Sequence, residues 1–363
     1  FIMPSIKFSI VMPAYGVELY IGDALRCLAG QTYDNFEVII VDDASPDRTG
    51  KIAQSFADKD DRFFVFKHEK NRGVAAARNT GLEHATGEYV LFLDPDDTYD
   101  IHLLEVLSIP LSRNPVDVAI YCHTEDYRDR ETGKIQYSKK VELDKEVYGD
   151  GLISSTDAMF IHKLAMAMEH NTMLGYPWNK AFKRSILVEH DIKFQAITHI
   201  EDVLFNCDFF DHVKSLIVLS DVLYHYRNQG QARLTGGSID YYFELQKKRI
   251  QRLLDQHAFW GTLDDEALEI LASEYFRSFQ SMMIRYKDMN WPEDTIVKKC
   301  EKESKTDMFV LMSKHLPEEN TKIMLLYQPL AEGKFTSGLH RAKLISFIRN
   351  TLPGIYNRAK QIR

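Results

Sequence analysis

Residues 94–97 read Asp-Pro-Asp-Asp and follow directly on an apolar run, Glu88-Tyr89-Val90-Leu91-Phe92-Leu93. A strand that ends in three carboxylates brings Asp94, Asp96 and Asp97 to a place where the backbone leaves a sheet and a ligand can approach. Clustered carboxylate oxygens suit a hard divalent cation, Mn²⁺ or Mg²⁺, and such a cation neutralises a diphosphate. The competing reading is an Asx-rich turn that caps the next helix. A second acidic pair, Asp42-Asp43, ends another apolar run, Glu37-Val38-Ile39-Ile40-Val41, and could also be a helix cap. A third, Glu201-Asp202, precedes Val203, Leu204 and Phe205 at a helix start, where the macrodipole favours carboxylates.

The elements that must position these acids alternate from the beginning of the chain. Phe8-Ser9-Ile10-Val11-Met12 reads as a strand, and Ile21, Leu25 and Leu28 recur at helical spacing after it. The 37–41 run is nearly all apolar, as a strand covered on both faces should be. A helix through Ile52, Ala53 and Phe56, a strand at Phe63–Phe66 and an Ala-rich helix from Val74 to Ala85 lead to the strand that carries the aspartates. This βαβαβαβ order predicts a mostly parallel sheet flanked by helices, with ligands bound beyond the carboxyl ends of the strands. Pro13-Ala14-Tyr15, Asp42–Ser45 and Asp94–Asp97 all fall at those ends.

Asp117–Tyr121 reads as a further strand, followed by a polar hairpin or loop to about Asp150. Leu216–Leu219 through Tyr226-Arg227 closes this half. From about residue 240 the pattern is helical, through Leu245–Leu254, Ala267–Met283 and Met308–His315. Thr235-Gly236-Gly237-Ser238 marks a boundary, so the expected units are 1–238 and a mainly helical C-terminal region, 239–363.

A chain of 363 residues, 45% hydrophobic and 27% charged, has the make-up of a globular protein. A net charge of -8 argues against a nucleic-acid partner. Cys27, Cys122, Cys207 and Cys300 are scattered without metal-ligand spacing, as expected of reduced core thiols in the cytoplasm. No apolar run approaches the roughly 18–20 residues that span a bilayer, and no signal-peptide pattern is read before the first strand.

Five separated stretches resemble the family 2 glycosyltransferases of GT-A fold, the inverting kind that builds bacterial surface glycans. They are Ser9–Tyr15, Gln31–Ser45, Asn71–Asn79 with Arg78 inside it, Leu93–Asp97, and Glu201-Asp202. The resemblance covers roughly residues 6–240. It implies an α/β GT-A Rossmann-like domain and a UDP-sugar donor whose sugar passes to a glycan or lipid-linked acceptor. The product would be a surface polysaccharide, a teichoic acid or a capsule. It also implies Asp202 as the general base, with Glu201 beside it orienting the acceptor or Asp202 itself; Asp94 is then a ribose or metal contact, and Asp96 and Asp97 are metal ligands. Asp43 would accept hydrogen bonds from uracil against a wall of Pro13 and Tyr15, with Asn71 and Arg78 closing over the base. Arg227 and Arg233 fall where the family often has a loop that closes over the diphosphate, and guanidinium suits phosphate. Pro95 departs from the small polar residue more usual between the acids, without removing a carboxylate.

Trp178 is a candidate acceptor wall, since aromatic faces stack on sugars, and a core role competes with it. His199 and His225 could reach metal or phosphate, but a lone histidine more often has a structural role. Nucleotidyltransfer is the runner-up, disfavoured because Pro13–Glu18 carries no Lys or Arg; an inactive scaffold is the third reading. After Glu332 the chain has no acid but carries Lys334, Arg341, Lys343, Arg349, Arg358, Lys360 and Arg363. Residues 339–363 therefore read either as a solvated helix or as a peripheral contact with an anionic membrane, on its inner face. An oligomer is compatible with the sequence.

Overall fold

The computed structural model describes residues 5–128, 132–149, 151–197, 199–228, 241–317 and 321–351. The chain divides into two compact units, Phe1–Gln231 and Ala232–Arg363.

In the first unit, β1 (Phe8–Ala14) pairs in parallel with β2 (Phe36–Asp42) and with β4 (Tyr89–Phe92), and β2 pairs with β3 (Phe63–Lys67). Every residue of β1, β2 and β4 is buried, because the crossover helices cover both faces. These helices are α1 (Ile21–Ala29), α2 (Thr49–Ala57) and α3 (Val74–His84). α3 lies against β1 at Gly81, where a Cβ would come within 2.3 Å of a Val11 methyl carbon.

After the two-residue β5 (Thr98–Tyr99) and α4 (Leu103–Arg113), β6 (Val118–Arg128) turns back into β7 (Ile135–Val141). The polar stretch is thus a hairpin, pinned by Tyr127 stacked on Tyr137 at 4.3 Å. Then come α5 (Lys145–Tyr148), β8 (Ile153–Ser155), α6 (Ala158–His170), β9 (Lys180–Lys183) and α7 (Arg184–Glu189). The unit ends with α8 (Glu201–Phe210) and β10 (Leu216–Asn228). The sheet order is β3-β2-β1-β4-β9-β6-β10-β5, with β7 on β6 and β8 on β10.

β9 runs antiparallel to both its neighbours, β4 and β6, while β6 and β10 run parallel to each other. The sheet is therefore mostly parallel, with β9 reversed at its centre and β5, β7 and β8 antiparallel to the strands they join. The strand Lys180-Ala181-Phe182-Lys183 is not legible in sequence, since lysines at both ends disguise a four-residue strand that is buried at its first three positions. Its reversal has a consequence for the site: Lys180, its first residue, lies at the level where β4 ends.

The second unit holds α9 (Tyr242–Trp260), α10 (Asp265–Asp288), α11 (Glu293–Glu303), α12 (Asp307–Lys314), α13 (Thr321–Ala331) and α14 (Phe335–Thr351). Tyr275, Phe276 and Phe279 of α10 form its aromatic centre with Phe243, Phe309 and Phe335. Asp264 caps α10 by accepting the Ala267 N–H at 3.1 Å. α14 buries Phe335, Leu339 and Ala342 and leaves Leu344 and Phe347 exposed. Among the described residues no helix is long and apolar enough to cross a membrane.

Candidate active site

Arg78 is the hinge of the site. It lies on α3, is 3% exposed, and donates from Nη2 to Asp94 Oδ1 at 3.0 Å and from Nη1 to Asp202 Oδ1 at 2.5 Å. Its guanidinium sits over the Phe194 ring at 5.1 Å. Burial disfavours a charged guanidinium, but Asp202 and Asp94 together outweigh that and hold its pKa above the ordinary value. One buried cation thus joins the acid at the end of β4 to the acid at the start of α8.

α8 is held in place by rings. Phe205 stacks on Phe194 at 3.9 Å and meets Phe92 of β4 and Phe182 of β9 edge-on. Asn79 locks the segment before α8 by a reciprocal pair, its Nδ2 donating to the Phe194 carbonyl and its Oδ1 accepting the Phe194 N–H, both at 2.8 Å. Arg78 and Asn79 therefore fix the acids and the approach to their helix from one turn of α3.

Burial raises the Asp202 pKa, with Arg78 opposing and Asp94 adding to the rise. Burial and then the Asp202 charge raise Glu201 to about 7. The Glu201 Oε2 is buried without a hydrogen-bond partner. Glu201 and Asp202 both stand in the first turn of α8, where the helix dipole offsets part of this cost.

The three aspartates of 94–97 are held differently. Asp97 is 1% exposed, accepts the Tyr224 hydroxyl at 2.7 Å on Oδ2 and the Arg227 N–H at 2.6 Å on Oδ1. Burial, with the Asp96 and Asp94 charges, pushes its carboxyl well above the usual range. It ties the strand end to β10. Asp94 and Asp96 are half-buried at the rim. Among the described residues, no three His, Cys, Asp or Glu side chains are grouped to hold a metal ion.

Asp43 is also engaged by the chain. It accepts His68 Nδ1 at 2.6 Å, the Arg72 N–H at 2.9 Å and the Gly73 N–H at 2.7 Å. Gly73 has φ 87°, a left-handed conformation that glycine adopts without strain, and it stands at the N-cap of α3. Asp43 thereby holds loop 71–73 against the end of β2, and Asn71 Oδ1 also accepts the Gly73 N–H at 3.1 Å. Asp42 accepts the Ser45 N–H at 2.9 Å, closing the turn after β2. Across the cleft, Gly16 N–H donates to Ser45 Oγ at 3.2 Å and Val17 N–H to Thr49 Oγ1 at 2.8 Å. Beside these laced loops Tyr15 is 38% exposed and Pro13 is buried.

Trp178 is 2% exposed, with Tyr224 stacked on one side at 4.0 Å and Tyr176 stacked at 4.5 Å. A ring sandwiched in this way braces the wall and offers no face to a sugar. Tyr176, half-buried, is the outer ring of the stack. Arg227 sends its Nη2 to Asp23 Oδ2 at 3.2 Å, and Arg233 lies outside the described residues. His225 Nδ1 pairs with Thr124 Oγ1 at 3.0 Å. Lys180, His68 and Tyr224, all central to this geometry, carry no functional signal in the sequence, whereas Asn79 ends the resembling stretch Asn71–Asn79 without a role assigned to it there. The nearest hint is the position of Lys180 directly after Trp178-Asn179.

Residues 9–189 match the family model "Glycosyl transferase family 2". With its parallel sheet, the acids at the strand ends and the helical region after them, the chain belongs to the family 2 glycosyltransferases of GT-A type. EpsH of Bacillus subtilis is 32% identical over 222 residues, 60% of this chain and 60% of that protein. The chain thus spans about three fifths of that relative's length. The minor teichoic acid biosynthesis protein GgaB of Bacillus subtilis is 44% identical over 92 residues, 25% of this chain and 10% of that protein. The crystal structure of S. aureus TarS 1-349 in complex with UDP-GlcNAc superposes with a TM-score of 0.61 at 20% identity. That match covers 95% of this chain and 91% of the other, a likeness of fold.

Proposed function

We propose that this chain is an inverting glycosyltransferase that moves a sugar from a UDP-linked donor to a glycan or lipid-linked acceptor in surface polysaccharide, teichoic acid or capsule synthesis. The observation that carries the reading is the Arg78 bridge between Asp94 and Asp202. Asp202, read as the base, and Asp94, read as an acid of the diphosphate rim, both pair with this one buried cation. The family match, the UDP-GlcNAc complex of TarS and the teichoic acid role in the name of GgaB support the donor and acceptor classes.

In this reading the acceptor hydroxyl attacks the anomeric carbon, Asp202 takes its proton, and the sugar–phosphate bond breaks to release UDP. General base catalysis of this kind is worth ~10²–10⁴ in rate. Burial suits Asp202 to the task, because it raises the proton affinity that Arg78 would otherwise depress. Glu201 orients the acceptor. Asp43 shapes the base pocket through loop 71–73, with Tyr15 and Pro13 as its wall.

Asp94 and Asp96 fit a divalent cation in one manner: two carboxylates at a rim, with phosphate oxygens completing the shell, as Mg²⁺ commonly prefers. Such an ion would offset charge on the diphosphate. Asp97 stands behind this pair as its anchor.

The decisive experiment incubates the protein with a panel of nucleotide sugars with and without Mn²⁺ and assays the products. Free UDP supports transfer. Pyrophosphate would replace this reading by nucleotidyltransfer, and silence with every donor would favour a scaffold. The C-terminal basic stretch fits a contact with anionic lipid, supported by exposed Leu344 and Phe347 near Arg341 and Lys343 on α14. Its last part, residues 352–363, lies outside the described residues.

A further inference from the structure

Lys180 is 0% exposed, and its Nζ donates into a shell of four oxygens. They are the carbonyls of Met173 at 2.7 Å, Leu174 at 3.2 Å and Tyr176 at 2.5 Å, and the side-chain oxygen of Asn179 at 2.7 Å. Three carbonyls of one short loop thus turn inward on a single nitrogen. An ammonium offers three hydrogens to such a shell. A neutral amine offers two and a lone pair, which would face oxygen with repulsion. Burial pulls the Lys180 pKa well down, and the Asp202 carboxylate opposes this. The oxygen cage selects the cation, and a buried cation needs a counter-charge.

The reversed direction of β9 puts this cation at the site. Lys180 pairs with Ile120, its neighbour Ala181 pairs with Leu91, and β4 gives way to Asp94 just beyond. The loop folded around Nζ carries Tyr176 and Trp178, and the stack runs on through Tyr224 to Asp97. Four charged groups act on Asp202: Arg78 from α3, Asp94 from the end of β4, Glu201 from its own helix, and Lys180 from β9.

We infer that Lys180 is a positioning residue, a buried ammonium that fixes the 173–179 loop and shares with Arg78 the counter-charge of Asp202. It touches no reacting atom and acts through the loop and through Asp202. The inference rests on the transfer reading for its consequence in turnover, but not for the charge coupling itself.

The test is a double-mutant cycle of Lys180→Met and Asp202→Asn on the full chain, read by melting temperature and by UDP release from the donor that the panel selects. Lys180→Met should lower UDP release at least about tenfold while the donor KM stays within about threefold. Its loss of melting temperature should be smaller in the Asp202→Asn background, where the carboxylate charge is already gone. Folding of the Met variant only in that background is the same result in stronger form. Melting losses that simply add, UDP release within about threefold of wild type, or a Met variant that folds in neither background would each overturn the inference. Silence of the wild type with every donor would sink the transfer reading alone, and the melting cycle would still decide whether Lys180 and Asp202 are coupled.

Discussion

The buried Arg78 guanidinium pairs with the half-buried Asp202 across 124 residues of chain, and a second nitrogen of the same guanidinium holds half-buried Asp94. Removing the cation leaves two neighbouring carboxylates uncompensated, a loss that partial solvent access keeps below the ~3–5 kcal/mol of a fully buried pair. Arg78→Met should therefore lower the melting temperature and abolish transfer together. Arg78→Lys should recover stability in part but not transfer, because one ammonium on a flexible stem cannot reproduce a two-pronged fork. A Lys variant with wild-type turnover would show that charge alone suffices there.

If Asp202 is the base of the proposed reaction, Asp202→Asn should separate chemistry from donor binding. The amide keeps a hydrogen bond to Arg78 but takes no proton, so transfer should fall by at least ~10². UDP affinity measured by calorimetry should stay near that of the wild type. Parallel loss of UDP binding would assign Asp202 to the frame of the site.

The split among the aspartates predicts different phenotypes for neighbours in sequence. Asp96→Ala should weaken UDP binding in the presence of Mn²⁺ with little change in melting temperature. Asp97→Ala should instead destabilise the fold, since it leaves the buried Tyr224 hydroxyl without an acceptor, at about 1–3 kcal/mol, and also frees the part-buried Arg227 N–H. Titrating UDP with and without Mn²⁺ for both variants reads the difference. Metal-independent binding in the wild type would remove the cation from the Asp94–Asp96 rim.

Glu201 makes stability depend on pH. Its carboxyl rises from an ordinary 4.5 to about 7 in the folded chain, chiefly through burial. A raised acid binds its proton more tightly when folded, so its favourable contribution is full below pH 4.5 and is lost as pH rises through about 7. Glu201→Gln should flatten the fall in melting temperature between about pH 5 and about pH 8. An unchanged slope would place the titration elsewhere.

The C-terminal stretch predicts salt-sensitive sedimentation with anionic vesicles and none with neutral ones. If deleting residues 339–363 leaves vesicle binding unchanged, or if the intact chain ignores anionic vesicles at low salt, the stretch has no membrane role.

Local pattern was enough to read β1, β2, β3, β4 and their crossover helices, because apolar runs and helical spacing are properties of neighbouring residues. It also placed Asp43, Asp94 and Glu201-Asp202 at element ends, since polar residues that interrupt an apolar run mark where a strand or helix begins or stops. What it could not contain is the direction of β9. Four residues with a lysine at each end look like surface, and only pairing with β4 and β6 makes them the centre of a sheet. The fate of each acid was likewise a tertiary decision. Asp94 and Asp97 are three residues apart in one turn. Yet one meets Arg78 from α3 and the other meets Tyr224 and Arg227 from β10, because a carboxylate's role depends on which distant donors the fold brings to it. Trp178 shows the same limit: its ring type announces a stacking surface, and only Tyr176 and Tyr224 packed against it reveal that the surface is already covered.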